Sequence, residues 1–194
     1  MKKAVISFWE IKLRSDAAAL PSLQYFNLEC MSLRSTHPIL RLAGPSPYQS
    51  VMSRVQATML SGRYRTDALC SKWSTMSEYC KTPSCLGLEK SESLAHILAD
   101  CPALESTRMR LLSFTEGISA GNPIVLPILQ KYCTLNHPQF VQFLLNCSAL
   151  PEVITLTQQY PDELSLFLRI TRTWCYVLHK ARLKILSRWI QFQQ

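Results

Sequence analysis

Apolar positions recur at spacings of three and four over much of the chain, which predicts helices. The longest such segment is 162–191, opened by Asp162 and Glu163. Leu166, Ile170, Trp174, Val177, Leu178, Ala181, Ile185 and Trp189 form one stripe there. Arg169, Arg172, Tyr176, Lys180, Lys184 and Arg188 form the opposite, basic face. Residues 48–61 predict a second helix, with Val51, Val55 and Met59 on its stripe, Leu60 beside them and Gly62 as its stop. Asp67, read as an N-cap, predicts a short helix through Leu69 to Trp73. Pro102 opens another that runs to about Phe114, with Glu105 in its first turn. Residues 124–134 and 138–147 predict two more, and residues 1–20 a short one carrying Ile6, Trp9, Ile11 and Leu13. Pro21, His37-Pro38, Gly44-Pro45 and Pro47 predict loops across 21–50, and GISAGNP (117–123) a linker.

Composition agrees with a folded, helical chain. Of 194 residues, 47% are hydrophobic and 18% charged, enough to build a core, and five glycines are few for a protein of many tight turns. The net charge of +8 is uneven: +5 over 1–79, −1 over 80–116 and +4 over 117–194. Such a balance suits nucleic acid or an anionic surface, and it also occurs in many ordinary soluble proteins. MKKAVISFWEIK is too broken by Glu10 and Lys12 for a secretion signal, and no apolar run reaches membrane-spanning length, so no membrane span is expected. Eight widely spaced cysteines without a secretory context predict free or metal-bound thiols in a reducing, intracellular compartment, with nucleus and cytoplasm left open.

Four residues stand apart: Cys80, Cys85, His96 and Cys101, spaced C-x4-C-x10-H-x4-C. Three thiolates and an imidazole complete a tetrahedral zinc set and leave no position open to substrate, so one structural Zn2+ is the expected cofactor. Cys80 and Cys85 bracket a turn sequence, Lys-Thr-Pro-Ser, and Gly87 follows where a positive φ is expected. Ser91 is read as the cap of a helix, SESLAHILA, whose stripe is Leu94, Ile97 and Leu98, with His96 opposite. His96 and Cys101 would lie about 140° apart on a continuous helix. Pro102 disfavours helix at Cys101, so the chain can turn its thiol back. Cys133 with His137 and Cys147 lacks a fourth ligand, and Cys175 with His179 is a bare i, i+4 pair. Arg63-Tyr64-Arg65, with Lys72 and Lys81 and the aromatics Trp73 and Tyr79, has the composition of a single-strand contact and equally of a solvated basic turn. No Ser-His-Asp set, paired carboxylates or phosphate-binding glycine loop is found, so no enzyme activity is expected.

The phrases SGRYRTDALCSKW and LAHILADCPALESTR, with the C-x4-C between them, resemble the C-terminal region of reverse transcriptases from non-LTR (LINE-type) retrotransposons. LPSLQYF (20–26), FVQFLLNCSALPEVI (140–154) and RTWCYVLHKARLKILSRW (172–189) extend the resemblance over roughly residues 14–190. It implies a knuckle with Cys80, Cys85, His96 and Cys101 as zinc ligands, and Arg63, Tyr64 and Arg65 as phosphate or base contacts. It further implies RNA or DNA as partner, single strands included, and the polymerase domain of a related element as a second partner. The polymerase's Tyr-x-Asp-Asp and its magnesium-binding aspartates are absent, so the resemblance is to the tail without its chemistry. The expected architecture is mostly α. It is a small helical domain with an irregular Cys-Cys-His-Cys zinc knuckle and a long C-terminal amphipathic helix. The expected organisation is a loop-rich segment 1–47 with a short helix, helices plus knuckle (80–101) over 48–116, and a helical tail over 117–194. Two other readings stand beside nucleic-acid binding: a zinc-stabilised helical protein–protein module, and a degenerate retroelement fragment without selected function.

Overall fold

Proline sets many of the helix starts. A computed structural model of the chain describes residues 2–20, 23–26, 36–134 and 137–192. Pro21, Cys30 and the Trp189 side chain fall outside the described residues. In chain order the helices are α1 (Lys2–Ala18), α2 (Pro38–Arg41), α3 (Pro47–Leu60), α4 (Asp67–Cys70), α5 (Glu105–Ser119), α6 (Leu126–Tyr132), α7 (Phe140–Asn146), α8 (Pro151–Gln159) and α9 (Glu163–Phe192). The mostly helical class and the long C-terminal helix are therefore as expected, and β structure among the described residues is one isolated bridge. Proline sits in the first turn of α2, α3, α6 and α8, where its missing N–H costs no helical hydrogen bond. His37 Nδ1 accepts from the Ile39 N–H at the start of α2. Gly62 follows α3 at φ 68°, a left-handed position that ends it as expected.

The core is built on α9, which packs against α3, α5, α7 and α8. Trp174 is wholly buried, meets Phe140 edge-on at 5.4 Å, and donates its indole N–H to Thr115 Oγ1 at 2.9 Å. Phe143 stacks on Tyr132 and meets Phe167 edge-on. Each such ring contributes about 1.5–3 kcal/mol through the apolar surface removed from water. Gln56 of α3 reaches across this core and donates to Leu144 O at 2.7 Å and Thr171 Oγ1 at 3.1 Å. One hydrophobic cluster runs from Ile39 through the cysteine-rich loop to Leu178.

Several sequence expectations are revised. The buried face of α3 is Met52, Ser53, Gln56, Met59 and Leu60, while Val51 is exposed. The packing partner is a helix surface with hydrogen-bonding groups, so the polar Ser53 and Gln56 outrank Val51. Thr66, not Asp67, caps α4: its Oγ1 accepts from the Leu69 N–H, and Asp67 pairs with Lys81 at 3.1 Å. α5 continues past Phe114 through Gly117 to Ser119, because Thr115 and Ser119 are buried and Trp174 holds Thr115. α8 lies where no helix was expected, begun by Pro151 and Glu152. Arg172 is not on a wet face. It is buried and donates to Leu168 O, Leu42 O, Ala43 O and Ser53 Oγ. Phe140–Gln159 is apolar and long enough to cross a membrane by composition, but here it is two helices joined by a 3-10 turn.

Candidate metal centre and its basic surroundings

Backbone pairing closes the loop before any side chain acts. The Glu92 N–H donates to Glu78 O and the Cys80 N–H to Lys90 O, both at 2.8 Å, around the Tyr79–Ser91 bridge. Within this clasp, Pro83–Cys85 makes a 3-10 turn, and Gly87 takes φ 82° as anticipated. The Cys85 N–H donates to Thr82 O at 2.9 Å, which sets the two thiols of the first half side by side.

The second half works differently from expectation. Ser93, not Ser91, is the cap, with its Oγ accepting from the His96 N–H at 3.1 Å. Residues His96–Asp100 then form a π turn, closed by the Cys101 N–H donating to His96 O at 2.7 Å. This five-residue ring brings His96 and Cys101 to the same side, which an α-helix would not do. Cys101 itself is extended (ψ 115°), as a residue before proline should be, so Pro102 ends the turn but the π geometry aligns the ligands. Ile97 and Leu98 point the other way, wholly buried against the helical core.

The four donor atoms converge. Cys80, Cys85, His96 and Cys101 are all buried, and their ligand atoms lie within 4.8 Å of one another. Cys85 Sγ is 3.8 Å from Cys101 Sγ and 3.5 Å from His96 Nε2. Metal–sulfur and metal–nitrogen bonds of about 2.3 and 2.05 Å at tetrahedral angles would give about 3.8 and about 3.6 Å for those two edges. The group can therefore hold one small metal ion. Thr82, 2% exposed, places Oγ1 3.3 Å from Cys80 Sγ and 3.7 Å from Cys101 Sγ, so its proton can be given to either sulfur. Arg108, buried on α5, donates to Cys101 O at 2.8 Å and pairs with Glu105. Hydrogen bonding from Cys101, against the cost of burial, pulls the Cys80 thiol below its ordinary range. Cys101 is pushed up by Cys80 beside it and Cys85 by burial. Such a cluster accepts one negative charge and resists the next, and a dication lets all three thiols ionise.

Among the described residues, the other two cysteine–histidine groups read from the sequence do not converge as this one does. Burial pushes the Cys133 and Cys147 thiols up to about 12, and His137 Nδ1 accepts from the Gln139 N–H. Cys175 faces Leu144 O and His179 Nδ1 meets Tyr64 Oη at 2.9 Å.

Of the predicted nucleic-acid contacts, Arg63, Arg65 and Lys72 are exposed. Tyr64 is not: it is 7% exposed, under the Arg182 guanidinium at 5.6 Å, and unable to stack on a base. Burial alternates along the segment, with Tyr64 and Thr66 inward and Arg63 and Arg65 outward. Lys81 is half-buried in its pair with Asp67. Trp73 is 76% exposed and stands nearer the arginines' role than Tyr64 does. Sequence reasoning also missed Glu92. It is wholly buried, accepts from Arg182 at 2.9 and 2.6 Å and from the Asp67 N–H at 2.8 Å, and so ties the loop to α9 and α4. Its signal was faint: an acid placed between a bridge and a helix cap. Comparison with family models, with curated proteins and with solved structures returns no match to this chain.

Proposed function

We propose that the chain is a non-catalytic zinc-knuckle module that binds RNA or DNA, of the kind that forms the tail of non-LTR reverse transcriptases. The observation that carries this reading is the buried donor set: three thiols and one imidazole within 4.8 Å of one another, two of the edges at the lengths a tetrahedral ion needs. Zinc fits it best, because thiolate-rich tetrahedral sites select zinc among abundant divalent ions. With four protein ligands no position remains for a reacting water, so the ion's work is structural. A groove of about 790 Å³ between α5 and α6 presents the Glu116 carboxylate and the buried Cys133 thiol, which do not make an acid–base pair.

The nucleic-acid half of the reading is supported by the outward Arg63 and Arg65, exposed Lys72 and solvent-facing Trp73, a mixture of phosphate contacts and a stacking surface. The test is metal analysis of the purified chain beside Cys80→Ser and His96→Ala, with anisotropy titrations of labelled single-stranded RNA and DNA. One zinc per chain, lost in both variants, is expected, with affinity that falls steeply with salt and weakens in the Arg63→Ala/Arg65→Ala double variant. Metal-free protein, or affinity unmoved by the double variant, would overturn it. A protein-docking role is the second reading, favoured by Val5, Phe8 and Ile11 exposed on α1 and Leu86 and Leu88 exposed on the knuckle. Binding of no oligonucleotide at low salt decides for it.

A further inference from the structure

α9 buries two arginines, and they are treated differently. Arg182 has a carboxylate, Glu92. Arg172, 6% exposed, has none within 4 Å among the described residues; its acceptors are three backbone carbonyls and the Ser53 hydroxyl, all neutral. A desolvated cation without a counter-charge is costly, and the environment here does nothing to neutralise it. Burial accordingly pulls the Arg172 pKa below its ordinary value.

This guanidinium borders a cleft of about 240 Å³ between α3 and α9, lined by Tyr48, Gln49, Met52, Arg169, Arg172 and Thr173. Arg169 is exposed and is in none of the ion pairs among the described residues. Tyr48, 58% exposed, stands edge-on to Tyr176 at 5.3 Å and walls one side. The turn behind the cleft is purpose-shaped. Gly44 adopts φ 82°, and a Cβ there would meet Gln49 Oε1 at 2.0 Å, so glycine lets the Leu42 and Ala43 carbonyls face Arg172 while Gln49 closes in. No Asp or Glu occurs from residue 30 to 66 or from 164 to 194, so the two stretches of chain that form the cleft offer no competing carboxylate.

From this juxtaposition we infer that the α3–α9 cleft is a phosphate-binding site, with Arg172 as its fixed, buried charge, Arg169 as its exposed arm and Tyr48 as a hydroxyl donor; the Thr173 hydroxyl is committed to Arg169 O at 2.8 Å. Two guanidiniums with a neutral phenol hydroxyl match a tetrahedral oxyanion in charge and donor type. The site is separate from the metal centre and needs neither zinc nor the Arg63–Arg65 segment.

The test uses the full zinc-loaded chain with arginine side-chain Nε–H resonances as the readout. Inorganic phosphate added at constant ionic strength should shift the Arg169 and Arg172 signals saturably. Arg169→Ala should weaken that saturation at least tenfold, Tyr48→Phe more modestly, and Arg110→Ala on α5 not at all. Both key substitutions are at exposed positions, so the fold should survive, and the unshifted remainder of the spectrum checks it. A linear, unsaturable response, or an Arg169→Ala variant that behaves as wild type, overturns the inference. A second arm identifies the source of the phosphate. If the site holds a phosphodiester of nucleic acid, Arg169→Ala also lowers the salt-dependence slope of oligonucleotide binding by about one. If phosphate saturates the cleft while oligonucleotide affinity is unmoved or absent, the site stands as one for free phosphate or a phosphomonoester. Nucleic-acid binding that responds to Arg63→Ala/Arg65→Ala in a protein whose cleft ignores phosphate leaves the proposed function standing and this inference refuted.

Discussion

Between Tyr79 and Cys101 the chain buries three cysteines, a histidine and a threonine around one point, and turns Leu86 and Leu88 out to solvent. Between Phe140 and Leu178 it buries Phe143 against Phe167 and Trp174 against Phe140. The first region spends its interior on donor atoms and has little apolar surface of its own to hide. The second is a helical core of apolar rings packed on one another. The two meet at Ile97 and Leu98, which the loop lends to the core, and at Glu92, which accepts the core's Arg182. The lesson is that one continuous core can draw on two kinds of interior, donor atoms and packed rings, joined by a few named side chains.

Metal withdrawal is the hardest test of that division. Structural zinc in small domains is held with apparent free energies of about 10–16 kcal/mol, so the loop's own order should go with the ion. Chelation, or Cys101→Ser, should abolish amide protection through 80–101 while most helical circular dichroism survives. Collapse of the whole helical signal at once would mean that the core depends on the loop as well. Next in size is Trp174→Ala. Removing a wholly buried indole and its hydrogen bond to Thr115 should cost about 4 kcal/mol by denaturant melting. Zinc content should stay at its wild-type value in that variant. Glu92→Ala addresses the join: it strands the buried Arg182 and should cost about 3 kcal/mol. Unlike Trp174→Ala, it should also weaken metal retention, since Glu92 follows directly on the bridge that clasps the loop.

The same division explains what could be read in advance. Ligand identity was legible because thiols and imidazole at short range have few other uses together, and α9 was legible because its period holds for about eight turns. Two things were hidden by physics rather than by weak signals. The π turn at His96–Asp100 depends on one hydrogen bond from Cys101 that no residue pattern announces. The burial of Arg172 and Tyr64 depends on partners more than 100 positions distant: Arg172 on Leu42, Ala43 and Ser53, and Tyr64 on His179. A basic or aromatic residue reads as surface or contact until those partners are known. α8 was the reverse case, a plain proline-and-acid start at Pro151-Glu152 overlooked beside a stronger apolar run.

The smallest expected effect sharpens the comparison most, because it separates holding a metal from holding a fold. Thr82→Val keeps the shape of a buried side chain and deletes the one hydroxyl that lies against Cys80 Sγ and Cys101 Sγ. The ion with three thiolates carries a net negative charge, and donors to sulfur relieve it. Losing such a donor typically weakens metal affinity about 10–100-fold. Competition against a chromophoric chelator should show that loss, and Thr82→Ser should restore most of it. The melting of the metal-free protein should not move, since its remaining structure is the helical core, which Thr82 does not serve. If Thr82→Val destabilises the metal-free chain as much as the loaded one, the threonine is packing rather than tuning sulfur. The loop would then have more structure of its own than its exposed leucines suggest.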